Sequence, residues 1–202
     1  MDTITSVEAL RAMYDEPRER TRKKQLDAID VHARRFIELS PFVVLASSSA
    51  TGCLDASPRG GTPGFVKVLD ERTLLIPDAP GNNRLDSLHN ILETGQLGLL
   101  FLIPGVDETL RVNGSAVLSH APAKLEHCRD ERRTPKLVIE VGVREVFLHC
   151  AKAFMRSKLW SVDSQVDRST LPTMGEMLND QTGVTTPPET QEEMRQRYAP
   201  DL

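Results

Sequence analysis

From residue 42 to residue 149 the chain is a succession of short apolar or alternating runs, and their spacing restricts its fold more than any other feature. "FVVLASSSATG", "FVKVLD", "TLLIPD", "LGLLFLI", "ETLRVNGSAVLSH" and "KLVIEVGVREVFLH" each read as strand, because apolar residues alternate there or fill a buried run. That makes at least six strands, with only short helices between them. Parallel neighbours need a long crossover, usually a helix, whereas antiparallel neighbours need only a tight turn. The order therefore predicts a mainly β, α+β fold: an antiparallel barrel with peripheral helices. "FVKVLD" and "TLLIPD" form a hairpin in this reading, and Gly114 predicts a bulge or sharp bend in its strand.

The helical signals lie outside or between these runs. Ser6 caps "VEALRAMY", which stops near Pro17. Residues 21–39 read as one longer helix, since Leu26, Ile29, Ala33, Phe36 and Ile37 share a face, and Pro41 ends it. "APGNNRLDSLHNILETG" passes from loop to helix, carrying Leu85, Leu88, Ile91 and Leu92, and a short helix is expected around 122–131. "CAKAFMRSKLW" is helical or irregular, and "TTPPETQEEMRQRYAPDL" is a polar tail that packs on a neighbour or stays mobile. Three regions follow: a helical extension over 1–40, a barrel over 41–160, and a C-terminal extension over 161–202 packing on the barrel or on a partner.

Composition narrows the function. A chain of 202 residues with a net charge of −4 lacks the basic balance expected of a general nucleic-acid binder. "EPRERTRKK" is locally basic but lies among acids and reads as a solvated helix face. "LGLLFLIPG", broken by Pro104, is too short to span a bilayer, and "MDTITSVEAL" does not resemble a signal peptide. Cys53, Cys128 and Cys150 are an odd, unpaired set, which fits a reducing cytoplasm. The His and Cys residues show no repeated metal-ligand spacing, so no metal site is expected.

Two arginines stand out. In "DASPRGGTPG", Arg59 brings five donors in a rigid fork, and Gly60 and Gly61 permit close approach of backbone or ligand. That chemistry suits a phosphate, but from these residues alone a hairpin turn bearing a solvated arginine is the favoured reading. In "GNNRLDSLHNIL", Arg84 stands where a loop turns into a helix, again as a phosphate ligand or as a surface arginine. If the intervening hairpin folds back, both arginines can share one dianionic phosphate through charge-assisted bonds.

The order of "SPRGG", "LLIPD", "GNNRLDSL", "LRVNG" and "CAKAFMRSKLW" resembles the pyridoxamine 5′-phosphate oxidase-like FMN-binding split-barrel family, in particular its probable FMN-dependent enzyme branch. The resemblance runs over roughly residues 36 to 160 and implies an antiparallel FMN-binding split barrel. It further implies a homodimer with FMN at the subunit interface, so the cofactor contacts need not come from one chain. Arg59 matches the family's strand-borne phosphate ligand, with Ser57 as a neighbouring hydroxyl donor. Arg84 matches the basic residue at a helix start, with Asn82 and Asn83 beside it. Thr109 aligns near the flavin, and Arg111 lies two positions along the same strand, hence on the same face. Trp160 is read as a flavin contact or a buried structural residue. Lys152 and Lys158 are read as stabilisers of negative charge on a reduced flavin or as part of a solvated helix face with Arg156.

Thr109 replaces the glutamine usual in the oxidases, and the C-terminal segment does not reproduce their substrate-binding arginine and histidine pattern. Pyridoxamine 5′-phosphate is therefore expected to be a poor substrate. No catalytic triad is present: Ser57 lacks the nucleophile-elbow sequence, and no serine partners the five histidines. No catalytic side chain is assigned, because the bound flavin itself carries electrons. The expectation is an FMN-binding oxidoreductase acting on a small molecule; the alternative is a non-catalytic FMN storage or sensing protein. Another phosphorylated cofactor, such as a deazaflavin, ranks behind both.

Overall fold

The structure, a computed structural model, describes residues 3–201. Its centre is one seven-stranded antiparallel sheet in the order β2-β1-β5-β6-β7-β4-β3. The strands are β1 (Phe42–Ser48), β2 (Leu54–Gly60), β3 (Lys67–Asp70), β4 (Thr73–Pro77), β5 (Gln96–Leu102), β6 (Thr109–Ser119) and β7 (Val138–His149). The sheet curls around a core that includes Val43, Leu45, Leu74, Leu99, Phe101, Val112 and Val141. This is the antiparallel α+β barrel expected from the strand spacing, in the split form that the resemblance implies.

Alternation decides which side chains face the core. Val43, Phe101 and Leu110 are buried and lie in one row across β1, β5 and β6; that row continues to Arg59 on β2 and Leu148 on β7. One residue along, the row Pro58, Val44, Leu100, Arg111 and Phe147 faces outward. Paired residues share a face and successive residues alternate, so Arg59 and Arg111 project from opposite faces of the barrel wall.

Gly114 marks the expected irregularity. Asn113 pairs with Glu145 and Gly114 with Val143, leaving Arg144 as an extra residue in β7. The strands approach so closely here that a Cβ on Gly114 would sit 2.2 Å from the Gly142 carbonyl oxygen.

Helices α1 (Val7–Arg11) and α2 (Glu19–Lys23) precede α3 (Val31–Leu39), which buries Ala33 and Ile37 in the core and is capped by Asp30. The single helix expected over 21–39 is thus divided. Leu26 leaves the helical path to exchange backbone hydrogen bonds with Val146, both at 2.8 Å. "SPRG" also differs from a turn: it belongs to edge strand β2, and the chain reverses beyond it, around the left-handed Gly64. Helix α4 (Asp86–Thr94) buries Leu88 and Ile91 against the barrel, while Leu85 and Leu92 are exposed.

Beyond β7 come α6 (Lys152–Ser157), α7 (Met174–Thr182) and α8 (Gln191–Tyr198); α5 (Pro122–His127) lies earlier, before β7. Both α7 and α8 begin with capping boxes, Thr173 with Glu176 and Thr190 with Glu193. No helix is long and apolar enough to cross a membrane among the described residues.

Candidate functional site

Edge strand β2 turns Asp55, Ser57 and Arg59 toward the first turn of α4. Arg59 Nη2 donates to Ser87 Oγ at 3.2 Å, and Ser87 Oγ donates to Asp55 Oδ2 at 2.6 Å. Ser57 Oγ also donates to Asp55 Oδ2, at 3.0 Å. Ser87 is buried at the base of this network, so β2 and α4 fix it from both sides.

Arg84 approaches the same helix end from the preceding loop. Its Nε donates to Asp86 Oδ2 at 2.8 Å, and its backbone N–H donates to Asn82 Oδ1 at 3.0 Å. The hydrogen bond to Asp86, then the charges of Asp86 and Asp55, hold the Arg84 guanidinium above its ordinary pKa. Asn83 and Leu85, on either side of Arg84, have left-handed φ values of 59° and 60°. Such a backbone is strained for leucine, and strain of this kind concentrates at ligand-binding loops.

Helix α4 starts without a side-chain cap. Its first amides are therefore donors at the positive end of a helix dipole. Arg59, Ser57 and Ser87 thus meet Asp55 at the first turn of α4, and Arg84 meets Asp86 at the same helix start. A phosphate placed there would exchange the Asp55 and Asp86 contacts for charge-assisted bonds of its own.

A second set lies on the outer face. Thr109 is buried at the start of β6, opposite His149. Arg111 stacks over Phe147 with its guanidinium carbon 3.9 Å from the ring centroid, and its Nη2 donates to Glu145 Oε1 at 3.3 Å. Glu145 also accepts from Asn113 Nδ2 at 3.1 Å and from Gln25 Nε2 at 2.8 Å. An open groove of about 470 Å³ runs beside it, lined in part by Ala46, Gly98, Asn113 and Arg144. Asn113, Glu145 and Gln25 bear on this face without being singled out by sequence. Only the pairing of β6 with β7, together with the return of the N-terminal segment over them, reveals their role.

The third set follows β7. Trp160 Nε1 donates to the Val106 carbonyl at 2.9 Å, and its ring stacks on Phe154 at 5.6 Å. Lys152 and Lys158 are exposed, as is Arg156. The structure thus joins Ser57, Arg59 and Arg84 around α4, with Asn82 and Asn83 in the adjoining loop, and places Thr109 and Arg111 on the other face of the wall. No group of three or more His, Cys, Asp or Glu residues suited to a metal occurs among the described residues.

The seven-stranded antiparallel sheet with its flanking helices defines the class: an α+β split barrel. The family model described as pyridoxamine 5′-phosphate oxidase matches residues 29–150, and the chain belongs to that family. Among solved structures, a variant of HupZ from Group A Streptococcus is similar at 17% identity and a TM-score of 0.50, covering 60% of this chain and 99% of that one. A candidate pyridoxamine 5′-phosphate oxidase from Lactobacillus delbrueckii shares 19% identity at a TM-score of 0.48, over 61% of this chain and 98% of its own. An FMN-binding protein from Syntrophomonas wolfei shares 11% at 0.47, over 58% and 84%. At these identities the likeness concerns the fold alone. No curated protein is significantly similar in sequence.

Proposed function

We propose that the protein binds FMN and passes electrons through it to or from a small molecule. The observation carrying this reading is the convergence of Ser57, Arg59, Ser87 and Arg84 on the uncapped start of α4, in a chain of this family. Those donors fit a phosphomonoester. Bound FMN would supply the redox chemistry; the chain supplies anchoring and orientation. Arg59 and Arg84 hold the phosphate from opposite sides, while Asn82 and Asn83 shape the loop that presents Arg84.

Thr109 and Arg111 face away from that anchor, which supports a flavin contacted by two chains. We therefore place the cofactor between two subunits of a homodimer, with the phosphate on one chain and the ring against β6 of the other. In this arrangement Trp160, Lys152 and Lys158 border the ring, and the C-terminal extension packs on the partner. Exposed Val162, Val166 and Leu171 are the apolar surface such packing would cover.

The test is the visible spectrum and extracted cofactor of freshly purified protein, followed by titration with FMN and riboflavin. FMN binds more tightly, and Arg59→Ala or Arg84→Ala weakens it by about ten- to a hundredfold, the equivalent of ~1.5–3 kcal/mol for a lost charge-assisted bond. Equal affinities for the two flavins would remove the phosphate anchor from the reading. Rapid donor-dependent reduction marks an enzyme, and a flavin that binds but resists reduction marks the storage alternative. Sedimentation over a concentration series checks the dimer; a monomer with full FMN stoichiometry would exclude the shared site.

A further inference from the structure

On the outer face, the N-terminal segment closes a second cavity of about 270 Å³ over β6 and β7, lined by Thr21, Lys24, Gln25, Arg111, Phe147 and His149. Its chemistry is cationic. Lys24 Nζ is 5.2 Å from the Phe147 ring centroid, and Arg111 packs against the same ring. Lys24 is anchored by a 2.7 Å bond to the Leu148 carbonyl, which leaves the rest of its ammonium free to bind.

Arg111 is under-used. Among the described residues, only Nη2 of its donor atoms meets a protein acceptor, at 3.3 Å on Glu145, and its Nε is buried without a hydrogen-bond partner. Glu145 offsets one of the two positive charges, and Gln25 and Asn113 already share its carboxylate. One net positive charge and several unspent donors therefore border a cavity large enough for a few heavy atoms. His149 is tilted against Phe147 at a centroid distance of 5.2 Å, where burial first, and then Arg111 and Lys24, lower its pKa.

We propose that this cavity binds a small oxyanion, a carboxylate or phosphate monoester, held by Lys24 and the Arg111 fork with the Thr21 hydroxyl beside them. The site is separate from the α4 anchor, because Arg111 and Arg59 project from opposite faces of the wall. As the pocket for an anionic substrate it rests on the FMN reading; as a binding site it stands without it. An anion between Lys24 and Arg111 screens His149 from both cations, so occupancy raises the His149 pKa toward the ordinary histidine value.

The test uses full-length protein carrying both Arg59→Ala and Arg84→Ala, so that the α4 anchor cannot contribute, titrated with inorganic phosphate and, separately, with succinate. Binding is followed by calorimetry and by the NMR titration of the His149 ring. Saturable binding of either probe is expected, with an upward shift of the His149 pKa; which probe binds tells phosphate from carboxylate. Adding Lys24→Gln should weaken binding about tenfold. Failure of both probes to bind, or binding that neither moves His149 nor responds to Lys24→Gln, overturns the proposal. Should Lys24→Gln impair folding, the His149 shift in the protein with intact Lys24 still decides. Loss of FMN binding in the starting variant reports on the α4 anchor alone, so the two readings fail separately.

Discussion

The barrel and the segment that follows it are stabilised in different ways. Every buried hydrophobic residue among those described lies between Ile29 and Val146. Among the described residues beyond Trp160 none is buried, and Val162, Val166, Leu171 and Leu178 are all exposed. The barrel stands on a shared core, whereas α7 and α8 stand on their own capping boxes and on local pairs such as Arg197 with Glu189 at 2.7 Å. Helices this short are marginal without tertiary packing. The contrast teaches that the barrel draws on a shared core, whereas the C-terminal segment draws on local contacts.

Phe101→Ala tests the contrast most severely. Phe101 is fully buried, so truncation should cost ~3–5 kcal/mol in urea unfolding. Leu178→Ala, the matching change in α7, should cost less than ~0.5 kcal/mol in dilute protein. A large, concentration-dependent cost at Leu178 would show that a partner covers it and would sharpen the contrast into one between monomer and dimer.

Smaller changes probe the local devices. Thr173→Ala removes the α7 cap, worth ~1 kcal/mol, and hydrogen exchange should quicken in 174–182 while β5 and β6 stay protected. Equal deprotection of the barrel would show that the two regions unfold together. The weakest effect is on pH. His149 has a lowered pKa in the folded protein, so below about pH 6.5 the unfolded chain takes up this proton first. Its contribution to stability should therefore fall as pH drops from about 6.5 through the folded value, and His149→Gln should flatten that slope in pH-dependent unfolding.

Much of the fold is legible in residue order because the strands carry their own period. β5 and β7 are recognisable from apolar content, and Gly114 announces the bulge that Arg144 fills. β2 is the strand that composition hides: "LDASPRG" has a proline and a terminal glycine, and its alternation is inverted, with Leu54, Ala56 and Pro58 exposed and Asp55, Ser57 and Arg59 turned inward. Leu26 is misread for the opposite reason. It fits a helical stripe, but its backbone pairs with Val146, and no local pattern encodes so distant a partner.

The site divides similarly. Arg59 and Arg84 are recognisable from charge beside glycine or asparagine, and their common target, the start of α4, follows once the hairpin folds back. Lys24, Glu145 and Gln25 carry no such mark, because their meeting depends on the N-terminal segment crossing β7. The opposition of Arg59 and Arg111 is also invisible until the pairing across β2, β1, β5 and β6 fixes the parity of each residue.

That parity has a genetic consequence. If two chains build each flavin site, a lesion at Arg59 and a lesion at Arg111 damage different halves of it. A mixed pair, one chain carrying each lesion, would then hold one site with both defects and one with neither. Two inactive alleles expressed together would restore activity that neither supplies alone, at up to half the wild-type level in each mixed pair. Two lesions on the same face, at Arg59 and Ser87, would not complement in this way.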